Sequence, residues 1–433
     1  MRNQSNIMKK ESNFILSCIL LCTLMSTAAY GQTTIIKRQP TTEKKDPSVS
    51  QAEFTDEFSI DGLRFRKEKG SSVIVLGMAK DDSPNEKLSI PEVVTYKGKS
   101  FSVSKIVNSA FLNNETLTSV VIPNSVIKIG EGAFSGCKKL TSVTLSNCIK
   151  EIESEMFRNC SSLLSIKIPG SVTSIGSRAF YSCKNLSSVN IPNNIISIGE
   201  SAFSGCTSLS SVEIPYSVEE IGEKAFDACS GLSSLKILNN KTRIGKGAFG
   251  RCKKISDIVY TSDCFINLPT SHVGQFIIPD GIKTISSHAF WGCRYLRSVS
   301  IPNSITTIEN DAFLDCHGLT SVSLPNSVTS IERAVFENSG LVSVTIPNCV
   351  VSIKSYAFLD SDLESVIIPS SVKSVESQAF WDCKKLVSVT IPSTVIEKVE
   401  DGAFQGCDLL DTIRVIYPDG REEQKQINSD WKE

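Results

Sequence analysis

Residues 119–140 read SVVIPNSVIKIGEGAFSGCKKL, and close variants follow at 165–186, SIKIPGSVTSIGSRAFYSCKNL, and at 188–209, SVNIPNNIISIGESAFSGCTSL. The Phe of this unit returns every 23 residues over most of the chain, but the step from Phe249 to Phe290 is 41 residues long. The recurring residues are Phe111, Phe134, Phe157, Phe180, Phe203, Phe226, Phe249, Phe290, Phe313, Phe336, Phe358, Phe380 and Phe404. A fixed period in this range predicts a solenoid with a buried Phe spine, because a single unit buries its apolar face only by stacking on its neighbours.

Each unit has an internal pattern that predicts its local structure. Segments such as LTSVTL and LLSIKI alternate apolar and polar residues, which is the period of a strand with one buried face. A Pro such as Pro123 or Pro169 ends the strand, and Gly130 or Gly176 permits a tight corner after a second short apolar stretch. Phe and Cys then stand three residues apart, on one face of a single helical turn. The predicted coil is therefore strand, turn, short extended stretch and helical turn.

Charge and composition limit the classes of function. The chain has 433 residues and a formal net charge of -1 at pH 7, and its Lys and Arg form no basic stripe. Nucleic-acid binding is not expected, since affinity for a phosphate backbone depends on such charge. The three His and the many Ser accompany no Gly-x-Ser-x-Gly elbow, phosphate-binding loop or dinucleotide motif. We therefore expect no catalytic residue, no cofactor and no enzyme activity.

The N-terminus has the features of an export signal. A basic start precedes the apolar run FILSCILLCTLMSTAA, which is too short and too close to the start to predict a membrane span. We place cleavage after Gly31, so residues 1–31 are the predicted signal peptide. Lipid attachment at Cys18 or Cys22 is less favoured, because the preceding apolar stretch is short. Residues 32–51 are polar and are predicted to be a flexible leader; the mature product is expected at the cell surface, secreted or in the periplasm.

The rest of the chain divides into a solenoid and two predicted ends. Residues 52–106 alternate like strands and contain turn signals, so we predict a β-rich N-terminal cap of hairpins. Residues 107–416 carry the repeats and form the predicted solenoid, with an irregular insertion at 259–275. Residues 417–433 lack the Phe and Cys columns and are predicted to be a C-terminal cap or tail, which keeps the terminal apolar face of a solenoid from water.

Ten cysteines stand three residues after a spine Phe: Cys137, Cys160, Cys183, Cys206, Cys229, Cys252, Cys293, Cys316, Cys383 and Cys407. Metal ligation is not expected, because a zinc site needs ligands at close spacing such as Cys-x-x-Cys. Disulfides between neighbouring coils are one alternative, since a coil spacing of about 4.8 Å falls within the Cα separation that a disulfide accepts. Buried free thiols are favoured, because Asn114, Ser339 and Ser361 occupy the same column in other coils.

The exposed columns of the strands predict a broad, polar surface. Their outward positions carry Ser or Thr, followed by residues such as Thr144, Lys167 and Asn190. This face lacks the Trp, Tyr and Arg residues that dominate most interface hot spots. It is interpreted either as a solvated sheet face or as an extended surface whose weak contacts add up over many coils.

The insertion at 259–275 departs most from the repeat. It lengthens one step by 18 residues relative to the period and contains Tyr260, Phe265 and His272. It is interpreted either as a projecting loop or as a degenerate extra coil, because QFIIPDGIKTI resumes the pattern directly after it. We predict that Tyr260, Phe265 and His272 contact the ligand and that this segment carries the specificity of the chain.

The complete unit, LxSVxIPxSVxxIGxxAFxxC, resembles the leucine-rich-repeat superfamily and closely resembles the bacterial surface repeats called BspA-like. Eight positions after each strand Leu, where the general pattern has Asn or Cys, this chain has residues such as Ser125, Cys148 and Asn194. The resemblance covers roughly residues 88–416. It implies a curved solenoid with a parallel β-sheet on one face and short helical turns on the other. It also implies a surface or secreted location and adhesion to host matrix proteins or other cells, without catalytic residues; a structural surface component without a host ligand is the alternative.

Overall fold

The chain is described here from a computed structural model, which describes residues 56–68, 70–79, 86–427 and 429–431. The predicted signal peptide (1–31) and leader (32–51) lie outside these residues. The described chain forms a β-solenoid of parallel strands, as the period predicted. Within the described residues, no helix has both the length and the apolar character that crossing a bilayer requires.

The longer strands of successive coils form one column, which we call the strand face. Within several runs of consecutive coils, neighbouring strands pair in parallel, so that Ser165 lies opposite Ser188 and Ser321 opposite Ser343. The central Val or Ile points into the core and its neighbours point outward, as the alternation predicted. These strands are Lys87–Ser89, Ser119–Val121, Ser142–Thr144, Ser165–Lys167, Ser188–Asn190, Ser211–Ile214, Ser234–Ile237, Gly274–Ile277, Leu296–Ser300, Ser321–Ser323, Ser343–Thr345, Ser365–Ile367, Ser388–Pro392 and Thr412–Ile416.

A second column of shorter strands runs beside the first. An inward apolar residue, in most coils Ile, stacks on that of the next coil, as Ile175 does on Ile198. These strands are Lys128–Ile129, Glu151–Ile152, Ser174–Ile175, Ser197–Ile198, Glu220–Ile221, Arg243–Ile244, Cys264–Asn267, Thr284–Ile285, Thr307–Ile308, Ser330–Ile331, Ser352–Ile353 and Ser374–Val375. The two columns enclose the apolar side chains of each coil between them.

The segment around Ala-Phe is built from hydrogen-bonded turns, and the predicted single helical turn is not confirmed. The Cys183 N–H does donate to the Phe180 carbonyl, as a tight turn requires. However, Arg178 and Ser182, two residues before and after Phe180, have positive φ angles of 55° and 56°. Left-handed residues at these positions interrupt a right-handed helix. The described residues contain two short 3-10 helices, Ile396–Lys398 and Ser429–Trp431.

The Phe side chains stack through the interior of the solenoid. From Phe111 to Phe249, consecutive ring centroids lie 5.0–5.7 Å apart with nearly parallel planes. From Phe290 to Phe404 the same separation is 4.6–5.5 Å. Main-chain bonds repeat with the rings, because the Phe180 N–H donates to the carbonyl of Ala202 in the next coil. Burial of each ring contributes about 1.5 to 3 kcal/mol to folding.

The corner glycines are explained by the close approach of coils. A Cβ placed on Gly176 or Gly199 would lie 2.6 or 2.7 Å from a main-chain nitrogen of the preceding coil. Their backbone is not in the left-handed region, so a turn conformation is not what selects glycine here. Later coils carry Glu309 and Glu376 at the equivalent corner, and their carboxylates accept hydrogen bonds from main-chain N–H groups of the preceding coil.

An N-terminal sheet precedes the first coils. Two antiparallel pairs in it turn at Asp61-Gly62 and Lys97-Gly98, both with positive φ. A Cβ on Gly77 would collide with the Ala110 carbonyl oxygen, so this sheet packs tightly on the start of the solenoid. Its strands lie in the order Glu57–Ile60, Leu63–Lys67, Ser72–Met78, Lys99–Ile106 and Val93–Tyr96, and Lys128–Ile129 also pairs with Lys99–Ile106.

At the C-terminal end, the strand Glu422–Gln426 pairs antiparallel with Thr412–Ile416. The chain then returns to the spine, where Trp431 is only 4% exposed and packs on Phe404. The Phe404 N–H donates to the Trp431 carbonyl, which occupies the place of the next coil's Ala carbonyl. Trp431 therefore covers the last ring of the spine.

The insertion forms a shortened coil. Val259–Tyr260 pairs antiparallel with Cys264–Asn267, and the latter strand pairs in parallel with Thr284–Ile285. The Leu268 N–H donates to the Ala289 carbonyl, so the Leu268 backbone takes the position of a spine Phe. The remaining strand of this region, Gly274–Ile277, belongs to the strand face of the following coil.

Candidate binding surfaces

The strand face exposes small polar side chains on successive coils. In the strand Ser142–Thr144, for example, Val143 is buried while Ser142 and Thr144 are exposed. The period-2 alternation of a strand dictates this arrangement, because neighbouring side chains point to opposite faces of the sheet. The result is a surface of hydroxyls with scattered charges such as Lys167 and Glu213.

A groove of about 600 Å³ lies on this face after the shortened coil. It crosses the strand ends and the Pro turns of consecutive coils. Its polar lining consists of Gln275, Ser300, Asn303, Ser323, Asn326 and Thr345. Val299, Ile301, Leu324, Pro325 and Pro347 form the rest of the wall, so the groove is lined by hydroxyls, amides and apolar groups without a charged side chain.

The three insertion residues that were predicted to contact a ligand differ in their exposure. Phe265 is completely buried and stacks on Phe290 with centroids 5.0 Å apart, so its ring belongs to the core and is not accessible to a ligand. Tyr260 is 51% exposed. His272 is half-buried; its Nε2 lies 3.1 Å from the Gln275 carbonyl oxygen and its ring meets the edge of Phe276. Only Tyr260 and His272 retain surface available for contact.

A second surface lies along the turns that flank the spine, and we call it the turn face. It carries the Trp and Tyr residues that the strand face lacks, at the positions one after or two before a spine Phe. Trp291, Tyr356 and Trp381 are half-buried there. Sequence reasoning missed this surface because it compared strand columns. The signal was the presence of Trp or Tyr at positions that most coils fill with small, charged or aliphatic residues.

The aromatic residues of the turn face are fixed by polar partners. The Trp291 Nε1–H donates to Asp315 Oδ2 at 3.0 Å, and the Lys253 Nζ lies 3.9 Å from the centroid of the same indole. Asn338 donates to the other oxygen of Asp315 at 2.7 Å. The Arg333 guanidinium lies 4.9 Å from the ring centroid of Tyr356. These contacts hold the rings in defined orientations at the surface.

Two carboxylates on the turn face are buried with only partial compensation from nearby positive charges. Burial raises the pKa of Asp311 to about 6, against the opposing effect of Arg333 and Arg251. Burial and the charge of Asp311 raise the pKa of Glu337 to about 7, with Arg333 opposing. Within the described part of the chain, neither carboxylate accepts a hydrogen bond or forms an ion pair. Both carboxylates are therefore costly to keep charged in the folded state.

The cysteine column consists of free thiols. Each thiol of the regular coils donates to a Phe carbonyl, as Cys183 Sγ does to Phe157 O at 3.1 Å. Burial raises the pKa of Cys183 to about 12. Burial therefore favours the neutral, hydrogen-bonded thiol. Because the thiolate is the form that attacks electrophiles and binds metals, these buried thiols are poor nucleophiles and poor metal ligands.

The described residues offer little for catalysis. No group of three or more His, Cys, Asp or Glu among them is placed to hold a metal ion. Ser287 Oγ lies 2.7 Å from His288 Nδ1, but burial, together with Arg251 and Lys253, lowers the pKa of His288 to about 3. A base with so low a pKa is a weak proton acceptor near neutral pH.

Comparison with known proteins identifies relatives of this solenoid. The family described as BspA type leucine rich repeat region matches in six copies, over residues 96–195, 173–268, 261–387 and 308–420. No curated protein matches the sequence.

Solved structures share the fold. A leucine rich cell surface protein from Faecalibacterium prausnitzii is 27% identical with a TM-score of 0.58, and the match covers 87% of this chain and 97% of that one. A leucine-rich repeat protein from Bacteroides ovatus is 26% identical with a TM-score of 0.54, covering 82% and 94% of the two chains. The pneumococcal vaccine antigen PcpA is 20% identical with a TM-score of 0.59, covering 80% and 97%, and shows likeness of fold alone. Because the family match spans most of the solenoid, the resemblance drawn from the repeats is confirmed, and the chain belongs to the BspA-type leucine-rich-repeat family.

Proposed function

We propose that the chain is an exported, non-enzymatic binding protein that presents its strand face to macromolecules of a host matrix or of other cells, as an adhesin does. The observation that carries this proposal is the strand face itself. Its outward side chains repeat on successive coils at a fixed register and border a groove of about 600 Å³. Such a surface suits many weak contacts that add up along an extended partner.

The family and the relatives support this proposal. Repeat solenoids use their extended faces for binding, and the Faecalibacterium relative is named as a cell surface protein. Export by a signal peptide at 1–31 and a cell-surface or secreted location belong to the same proposal. Tyr260 and His272 remain proposed ligand contacts at the edge of the shortened coil.

The two ends are proposed to be caps. The predicted cap over 52–106, whose described residues include the N-terminal sheet, and the segment 417–433, whose Trp431 packs on the last spine ring, would protect the terminal apolar faces. Between them, residues 107–416 form the display scaffold. This division would leave the strand face of the solenoid available.

A binding experiment tests the proposed function. The purified protein is titrated over immobilised fibronectin, fibrinogen, collagen, mucin and intact bacterial cells. We expect saturable binding to at least one surface. A variant with Ser300→Arg and Ser323→Arg fills the strand face, and a control with Thr306→Arg and Thr329→Arg adds the same charge at exposed positions off that face. Binding should fall in the first variant only.

Two results would count against the proposal. Equal loss in both Arg variants would place the contact outside the strand face. A flat response to every partner would favour the alternative of a structural surface component without a ligand. The contribution of the shortened coil is measured separately with Tyr260→Ala and His272→Ala, using exposed Tyr216→Ala as the control.

A further inference from the structure

We propose that the groove bordered by Gln275, Asn303 and Asn326 binds a chain of a neutral polysaccharide. This inference rests on the proposed binding role of the strand face and names the chemistry of its ligand. It follows from three features of the groove: the hydrogen-bonding groups it leaves open, the charges it lacks, and its position on the face of the sheet.

The polar side chains of the groove are open to a ligand. Ser300, Asn303, Ser323, Asn326 and Thr345 are exposed. Within the described residues, their side-chain hydroxyls and amides have no hydrogen-bond partner. An amide both donates and accepts, and a hydroxyl does the same. The groove therefore repeats on each coil the paired donor and acceptor that a sugar hydroxyl requires.

The groove lies in an uncharged part of the strand face. The column that contains Ser300 has Lys236 before the shortened coil and Arg414 near the C-terminal end. Between them the column is uncharged, with Ile277, Ser300, Ser323, Thr345, Ile367 and Thr390. Ile277 and Ile367 are 67% and 66% exposed on either side of the hydroxyls. Sugar rings present C–H faces and hydroxyl edges, so exposed apolar groups beside uncharged polar groups match both.

The position of the groove disfavours an extended peptide. Peptides that add to a sheet pair with an exposed edge strand, whereas this groove runs over the face, where Gly274–Ile277 pairs with Leu296–Ser300 and Ser321–Ser323 pairs with Ser343–Thr345. A charged peptide or an acidic polymer would also need counter-charges, and none lines the groove. A neutral chain loses less solvation on entering such a site.

Affinity electrophoresis with the purified protein tests the proposal. Native gels contain mannan, dextran, a soluble β-glucan or galactomannan, with polygalacturonate and heparin as acidic comparisons. The groove variant is Asn303→Ala with Asn326→Ala. The matched control is Asn147→Ala with Asn193→Ala, which changes the same column in coils before the shortened coil, where both residues are also exposed.

We expect at least one neutral polymer to retard the protein saturably and the acidic polymers not to do so. The groove variant should bind about tenfold more weakly, as the loss of two hydrogen-bonding groups predicts, while the control stays within about twofold of the unmodified protein. Absence of retardation by every neutral polymer, equal loss in the two variants, or stronger binding to the acidic polymers would each overturn the proposal. If matrix proteins or cells still bind saturably in that case, the proposed function stands and only the polysaccharide assignment fails.

Discussion

The coils before the shortened coil and the coils after it share one core but differ in several of the columns outside it. Both sets stack Phe rings about 5 Å apart and place a small residue three positions later. Before the shortened coil, the corners are mostly glycine and turn-face charges such as Arg158 and Glu155 are paired. After it, corners carry Glu309 and Glu376, and the turn face gains Trp291.

This comparison shows where the sequence is free to vary. A residue in the Phe or Cys column contacts the coils on both sides, so a change in its side-chain volume disturbs the packing against two neighbours. A residue in a surface column contacts little and accommodates charges, aromatic rings or hydroxyls without altering the fold. The distinguishing chemistry of the later coils, an uncharged groove on one face and under-neutralised carboxylates on the other, is therefore found entirely in such columns.

The largest expected effect tests the stacked Phe core, which the two sets of coils share. Phe180→Ala and Phe313→Ala each remove a fully buried ring from the middle of a stack. Each should cost about 3 to 5 kcal/mol of unfolding free energy, because of lost burial and the cavity that remains. Urea unfolding followed by circular dichroism measures both. Tyr216→Ala, at a 72% exposed ring, is the control and should change stability little.

Markedly different losses of unfolding free energy in the two Phe variants would show that the two sets of coils do not depend equally on the Phe stack. Hydrogen exchange then locates the weaker set. Because Phe265 stacks on Phe290, Phe265→Ala should reduce protection in the later coils more than in the earlier ones.

The next effect separates the two kinds of corner. Gly199→Ala places a Cβ 2.7 Å from the Ser177 nitrogen and should cost about 1 to 3 kcal/mol through overpacking. Glu376→Ala loses hydrogen bonds from Ser355 N–H and Lys354 and should cost about 1 kcal/mol. Thermal unfolding at pH 7 and pH 4 distinguishes them. Burial pushes the pKa of Glu376 up, but the bonds from Lys354 and Ser355 hold it below its usual value, so only the Glu376→Ala cost should shrink in acid.

A pH-dependent gain in stability is expected from the turn face. The folded pKa values of Asp311 and Glu337, about 6 and about 7, lie above the ordinary values of 3.8 and 4.5. The folded state then binds more protons, so stability falls as pH rises from about 4 to 7. Asp311→Asn with Glu337→Gln should therefore stabilise the protein by about 1 to 2 kcal/mol at pH 8 and not at pH 4.

The control for this double variant has the same change of charge elsewhere. Glu397→Gln with Asp408→Asn alters two exposed carboxylates. It should leave the pH dependence of unfolding unchanged. The groups facing the pair are Arg333, Arg251 and Asp227 around Asp311, and Asp315, Asp360 and Arg333 around Glu337. Destabilisation by the turn-face variant at pH 8 would show that Arg333 and Arg251 already neutralise the two carboxylates.

Much of the fold was predictable from the sequence, because the same pattern of apolar and polar residues recurs in many coils. The strand alternation and the 23-residue step depend on local pattern and on stacking, and both appear in the structure. The absence of a helical turn was not predictable, because the positive φ angles lie at Arg178 and Ser182, and neither Arg nor Ser is a residue type that predicts a left-handed conformation. Phe265 was assigned to a ligand because the pattern lapses there, yet a shortened coil still needs a ring beneath Phe290.

The surfaces were less predictable, since a groove depends on which columns meet in space. Asn303 and Ser323 come from different coils and different columns, and only stacking brings them to one wall. The aromatic residues of the turn face are separated by whole coils in the sequence, as Tyr356 and Trp381 are, although their ring centroids lie 6.1 Å apart.

The smallest expected effect comes from restoring a cysteine to the cysteine column, which is unbroken from Cys137 to Cys252 and interrupted at Ser339 and Ser361 in the later coils. Ser339 occupies a thiol position, and its buried hydroxyl has no hydrogen-bond partner. Ser339→Cys should stabilise the protein by about 1 kcal/mol, because a thiol tolerates burial better and can donate to a Phe carbonyl as its neighbours do. Ser361→Cys is the matched control: the Ser361 hydroxyl already lies 3.3 Å from Cys383 Sγ, so it has less to gain. Urea unfolding under reducing conditions measures both. An equal gain in the two variants would mean that volume alone selects cysteine in this column, and a loss in both would mean that the later coils are packed too tightly for sulfur.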